Sequence, residues 1–229
     1  MAKNFLTEYI HERLKDFSHT QTIEHRGLIT ISRQYGCPGK PVSSILAKAL
    51  STPEHEWKVV DKEILKQAAQ ELSIPDDLAE KLFKHKPSNI LADLFSSFSS
   101  SKIPDDVVVK KTVARILRTT MLYGHVIVLG QGGVVLGRDI HPSLHVFLHA
   151  SPNWRKKKVR VLENLDSDEK AIERIKQVDE ERVFLRNFLS GENLTQDIFD
   201  LSINCEYFSE EEIVKIILEV ARLRGIGTL

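Results

Sequence analysis

Apolar residues in this chain follow two alternating rhythms. Short, nearly continuous apolar runs occur at residues 28–31, 57–60, 125–130, 144–149 and 201–203. Their length and β-branched content predict strands, and the near-absence of polar alternation predicts strands covered on both faces. Between them, apolar positions recur three or four residues apart, the spacing of amphipathic helices. One such set is Val42, Ile45, Leu46, Ala49 and Leu50; a second is Ile64, Leu65, Ala68 and Leu72; a third is Val109, Val113, Ile116 and Thr120. Helical patterns also occupy residues 151–165, 168–189 and 209–222, the last opened by Ser209 and Glu212 as a capping box. Strands alternating with helices predict parallel βαβ units. The expected fold is therefore α/β: a five-stranded parallel sheet between two layers of helices.

Two stretches stand apart from this rhythm. Phe5, Leu6, Ile10, Leu14 and Phe17 predict an amphipathic helix within residues 1–26, ahead of the main domain at 27–229. It would pack on the core or on a second subunit, the latter giving a homodimer. Residues 74–104 are broken by Pro75, Pro87 and Pro104 and carry a run of serines at 96–101. They read as short helical pieces around a loop, an insertion into the α/β framework.

In a parallel sheet, ligands sit beyond the carboxyl ends of the strands. Here those ends are residues 36–40, Asp61, residues 130–133 and Ala150, which is where glycines and charges gather. The first combines Gly36, Cys37, Pro38, Gly39 and Lys40 between a strand and a helix. Glycines let backbone N–H groups curl round an anion, the helix N-terminus adds partial positive charge, and a lysine neutralises the rest. The spacing is shorter than G-x-x-x-x-G-K-[ST], and Pro41 and Val42 stand where a hydroxyl is wanted. Ser43 and Ser44 are the nearest hydroxyls for magnesium. A surface turn before a helix is the competing reading of the same residues.

Basic residues then concentrate at Arg155, Lys156, Lys157, Lys158 and Arg160, and later at Arg174, Arg182 and Arg186. Arg155 and Lys158 share a helical face, as do Arg182 and Arg186. They form a solvated face, an ion-pair staple with Asp179, or a basic lid over phosphates. His145 and His149 lie on one face of a strand with Phe147, with no third ligand beside them, and read as sheet-face histidines.

Charge narrows the picture only slightly. Acidic and basic side chains balance at 32 each, so no overall field points to nucleic acid or an anionic membrane, although a local basic cleft remains open. No apolar run approaches the ~18 residues that a bilayer requires. Cys37 and Cys205 make no metal-type spacing and read as two reduced thiols, and the cytoplasm is the expected location.

The ordered segments resemble the cytidylate kinase-like family of P-loop proteins, relatives of the nucleoside monophosphate kinases. The residues that carry the likeness are 31–40, 59–64, 128–133, 146–150, 179–191 and 199–204, within a span of about 27–222. The resemblance implies a P-loop three-layer α/β/α kinase with a helical insertion at 74–104 and an arginine-rich lid at about 155–190. It places Gly36, Cys37, Gly39, Lys40 and Ser43 at the phosphates of ATP, with magnesium between them. It places Asp61, Gln131, Gly132 and Gly133 at the acceptor, and gives Lys40, Arg155, Lys158, Arg182 and Arg186 the electrostatic work of transfer. Pro38, Val42 and Gln131 depart from the family pattern, removing respectively a backbone donor, a hydroxyl and a cationic charge. Two functions follow as expectations: ATP-dependent phosphorylation of a nucleoside monophosphate such as CMP, or nucleotide binding with weak or no turnover.

Overall fold

Five strands pair in parallel in a single sheet: β1 (Leu28–Arg33), β2 (Lys58–Val60), β3 (Val126–Leu129), β4 (Ser143–His149) and β5 (Leu201–Asn204). Their spatial order is β2-β3-β1-β4-β5. The computed structural model describes residues 27–64, 114 and 116–227. The helices are α1 (Gly39–Leu50), α2 (Gly133–Leu136), α3 (Pro152–Leu162), α4 (Asp168–Ser190) and α5 (Glu210–Leu223). Residues 116–123 form a further helical stretch leading into β3.

The twofold period of the strands divides the core in two. Ile29 pairs with Ile127 and Leu144, and Ile31 with Leu129 and Val146; all six face α1 and α5. Val42, Leu46 and Leu50 of α1, with Ile213, Ile217 and Ala221 of α5, complete this layer. Leu28, Val126, Val128 and Val60 point the other way, onto Ile116, Leu117, Met121, Leu136 and Leu189. A fully buried aliphatic side chain contributes about 1.5–3 kcal/mol by leaving water, so burying both faces accounts for runs without polar alternation.

One part of the second face is polar. Thr30 Oγ1 and His145 Nδ1 lie 2.8 Å apart, and Ser143 Oγ is 3.4 Å from Nε2 of the same ring; all three residues are buried. Burial pulls the His145 pKa below its ordinary value. The backbone N–H of His145 donates to Asp200 Oδ2 at 2.8 Å, which brings that carboxylate close to the patch.

Local signals explain the helix ends. Ser151 accepts from Trp154 N at the start of α3, and Ser167 from Lys170 N at the start of α4. The expected capping box of α5 is present, with Ser209 and Glu212 each bonding the other's backbone N–H. The four-residue α2, too short to show a period, was not expected and replaces a plain turn after β3. The expected helix at residues 4–17, the part of the second helix beyond Ile64, the positions Val109 and Val113 and the insertion at 74–104 lie outside the described residues. Among the described residues, no helix is long and apolar enough to cross a membrane.

Candidate nucleotide site

The carboxyl ends of β1, β2 and β3 and the C-terminal half of α4 enclose a cavity of about 650 Å³. Arg33, Lys40, Asp61, Gln131, Arg182 and Arg186 are among the residues that line it. The volume is that of a ligand pocket rather than a packing defect.

The loop after β1 is fastened to the neighbouring strand. Gln34 N donates to Leu148 O at 2.9 Å, and Ala150 N donates to Gln34 Oε1 at 3.2 Å. Within the loop, Cys37 N donates to Gln34 O at 3.2 Å and Gly39 N to Cys37 O at 2.8 Å. Pro38 has no N–H to give. The loop thus offers an anion fewer backbone donors than a glycine-rich cradle does. Gly36, at φ +94°, lies so close to α3 that a Cβ there would sit 3.2 Å from Arg155 O.

Positive charge at the cavity comes mainly from side chains. Lys40 is 78% exposed, and its Nζ stands 4.0 Å from Oδ2 of Asp61, which is only 15% exposed. The long stem of Lys40 leaves the ammonium free to follow an anion. Asp61 Oδ1 accepts from Ile64 N at 3.1 Å and is held facing the cavity.

Opposite Lys40, α4 is stitched to the β1 loop. Asp179 accepts from Tyr35 N through Oδ1 at 2.7 Å and from Arg155 Nη1 through Oδ2 at 2.6 Å. Arg182 Nη1 donates to Arg33 O at 3.0 Å. The guanidinium groups of Arg174 and Arg182 lie 5.7 and 5.4 Å from the centre of the Tyr35 ring. Its hydroxyl donates to Glu163, which also accepts from Arg174 Nε at 3.1 Å. The Tyr35 bond and Arg174 hold the Glu163 carboxyl below its usual range, while burial and the Glu163 bond push Tyr35 up.

The arginines facing the cavity are only partly neutralised: Arg182 Nη1 lies 3.8 Å from Asp179 Oδ1, but Arg155 already pairs with that carboxylate. Burial, reinforced by repulsion from Arg182, lowers the Arg33 pKa to about 10. Burial also lowers Arg182 and Arg186. Arg186 Nε is buried without a hydrogen-bond partner. Guanidinium groups crowded in this way are stabilised by a polyanion that supplies both charge and acceptors.

The expected site residues divide accordingly. Lys40, Asp61, Gln131, Gly132, Arg182 and Arg186 meet at the cavity. Gly132, at φ +68°, packs so closely on α4 that a Cβ would come 2.1 Å from Leu189 Cδ1. Gly36, Cys37 and Gly39 shape the loop without lining the cavity, and Gly133 opens α2 against Val128. Arg155 is buried beneath the loop on Asp179, so its place is a structural one. Lys158 is exposed and lies 5.0 Å over the Trp154 ring, away from the cavity, because only Arg155 and Val159 occupy the buried face of α3.

Ser43 is buried and donates to Lys40 O at 2.8 Å, and Ser44 donates to the same oxygen at 3.0 Å. Neither hydroxyl is presented to a magnesium ion. Among the described residues, no group of three His, Cys, Asp or Glu side chains converges as a metal site. The donor set therefore fits a polyphosphate but not a magnesium ion held by these serines. Arg174, one of the basic residues of the expected lid, also lines the cavity, as do Arg33 and Tyr35, which were not expected there. The sequence signals for Arg33 are its place just past the apolar run 28–31 and within the 31–40 segment that carries the family likeness.

The family model of the cytidylate kinase-like family matches residues 28–207. A crystal structure of an uncharacterized protein from Eubacterium ventriosum ATCC 27560 superposes with a TM-score of 0.66 at 18% identity, covering 87% of this chain and 99% of that one. This likeness supports the fold. A gluconokinase from Sinorhizobium meliloti 1021 matches with a TM-score of 0.44 at 14% identity, covering 87% of this chain and 94% of its own. TT1252 from Thermus thermophilus gives 0.45 at 18% identity, covering 87% of this chain and 98% of its own. No curated protein sequence matches the chain. With a family model spanning most of the residues and a parallel sheet that gathers the motif residues at one edge, the chain belongs to the cytidylate kinase-like family.

Proposed function

We propose that the cavity binds ATP through its phosphates and transfers the terminal phosphoryl group to a nucleoside monophosphate, CMP being the model acceptor. The observation that carries this reading is the under-neutralised cluster of Arg33, Arg182 and Arg186 facing Lys40 across one pocket. Phosphoryl transfer demands little covalent chemistry from a protein; it needs two anions aligned and their charge offset. Lys40 reaches the donor phosphates from the start of α1, and Arg182 and Arg186 face them from α4. Asp61 and the Gln131–Gly132 turn border the space left for the acceptor. Magnesium would arrive with the nucleotide and offset further phosphate charge, without Ser43 or Ser44 as ligands.

A second reading is nucleotide binding with little turnover. It rests on the internally bonded loop and on the neutral Gln131. ATP, magnesium and a panel of nucleoside monophosphates, with binding measured in parallel, separate the two. The kinase reading expects a diphosphate product, and it expects Lys40→Ala to weaken ATP binding about 10- to 100-fold, the effect of losing a charged hydrogen bond. Tight binding without product establishes the second reading. Unchanged affinity in Lys40→Ala, together with no product, removes both.

A further inference from the structure

The cysteines lie 168 positions apart in sequence, yet the fold brings them together. Strands β1 and β5 are separated in the sheet by β4. The loop after β1 is anchored on β4 by Gln34 N on Leu148 O, and Cys37, bonded back to Gln34 O, packs against the cluster that includes Ile203 and Cys205 at the end of β5. Cys205 follows β5 directly, with its N–H bonded to His149 O at 2.8 Å. Cys205 is buried within the cluster that α1 and α5 form on the sheet, and Cys37 packs against that same cluster while remaining partly exposed. The two sulfurs interact: contact with Cys205 and burial push the Cys37 thiol up, and contact with Cys37 draws Cys205 down. Both thiols are free in this structure.

We propose that Cys37 and Cys205 are a reversible dithiol–disulfide pair that fastens the phosphate loop to the end of β5 when oxidised. The co-reactant is a small-molecule disulfide of the glutathione type. Cys37 attacks because it alone of the two is reachable from solvent: the small thiolate fraction that its raised pKa leaves adds to one sulfur of that disulfide, forming a mixed disulfide and releasing one small thiol. Cys205, as thiolate, then attacks the Cys37 sulfur, closing the internal bond and releasing the second small thiol. The protein loses two electrons and two protons, and the small disulfide gains both. A bond at this place joins residue 37 to a strand end on the far side of β4. It holds the loop in the conformation in which Cys37 and Gly39 bond within the loop rather than to an anion.

The effect on nucleotide rests on the function proposed above, whereas bond formation does not. The full chain is titrated with oxidised glutathione and followed by thiol counting, intact mass and peptide mapping, with Cys37→Ser and Cys205→Ser alongside. The expected result is loss of both thiols together in a monomer, a 37–205 cross-linked peptide, and recovery with a reducing thiol. Cys205→Ser should stop at a stable glutathione adduct on Cys37, and Cys37→Ser should leave Cys205 unmodified. A lasting adduct on Cys37 of the native chain, a cross-link between chains, or no reaction overturns the pair. Amide hydrogen exchange across residues 34–40 reads the loop without any ligand, and slower exchange is expected in the oxidised form. Unchanged exchange overturns the fastening even where the bond forms. ATP affinity, compared between the reduced and oxidised forms, is expected to fall by about tenfold or more on oxidation. If the reduced protein binds no ATP, the functional reading fails while thiol counts and exchange still decide the disulfide.

Discussion

At the scale of single residues, chemically similar side chains have opposite duties. Arg155 and Arg186 both bury an unpartnered Nε, but Arg155 holds Asp179 at 2.6 Å whereas Arg186 faces the cavity. Arg155→Ala should therefore destabilise the fold by on the order of 3 kcal/mol, because the carboxylate beneath the loop loses its buried partner. Arg186→Ala should leave the urea midpoint nearly unchanged while weakening ATP binding. Urea melts and a binding titration on both variants test the contrast, and a stability loss in Arg186→Ala equal to that of Arg155→Ala would contradict it. Gly132 is constrained differently. Its φ of +68° and its approach to Leu189 leave no room for a methyl group, so Gly132→Ala should lower stability by about 1–3 kcal/mol in the same melts.

At the scale of elements, α4 links the loop to the pocket. Asp179 bonds both the backbone of Tyr35 and the side chain of Arg155, while Arg182 bonds the carbonyl of Arg33. Asp179→Asn keeps the shape but removes the charge that balances Arg155. It should cost stability and also loosen the loop, read as faster amide exchange at residues 34–37; exchange confined to its native rate would show that α4 does not restrain the loop. The capping box of α5 is a local device by comparison. Ser209→Ala should cost about 1 kcal/mol in thermal or urea melts and leave ligand binding untouched, since α5 packs on the sheet face behind the pocket.

At the scale of the whole molecule, the polar patch inside the sheet makes stability depend on pH. His145 has a folded pKa below its ordinary 6.5, owing first to burial, with Asp200 opposing and Arg224, His141 and Arg138 adding to the shift. Its unfolded form therefore binds a proton at a higher pH than its folded form. The contribution is complete above about pH 6.5 and is lost as pH falls from there towards the folded value. Urea midpoints should decline over that window, and His145→Gln should flatten the decline; an identical slope in the variant would remove His145 as its cause.

The parallel α/β architecture, the five strands and the longer helices were readable from the apolar pattern, because periods of two and of 3.6 are local properties of the backbone. The strand ends at Lys40, Asp61 and Gln131 were readable for the same reason: a parallel sheet delivers its loops to one edge. Partnership was not readable. Arg155 and Arg182 carry the same charge on neighbouring helices, and only the packing of α3 and α4 against the β1 loop makes one a buried brace and the other a wall of the pocket. Ser43 and Ser44 carry hydroxyls at the right distance along the chain, yet the turn of α1 directs both to the Lys40 carbonyl. The meeting of Cys37 with Cys205 depends on strand order, a choice made by long-range packing that leaves no local trace. Sequence periodicity thus decides which elements form and where their ends gather. Which charges face one another across those ends is decided when the layers close, because burial and contact between distant residues exist only in the folded chain.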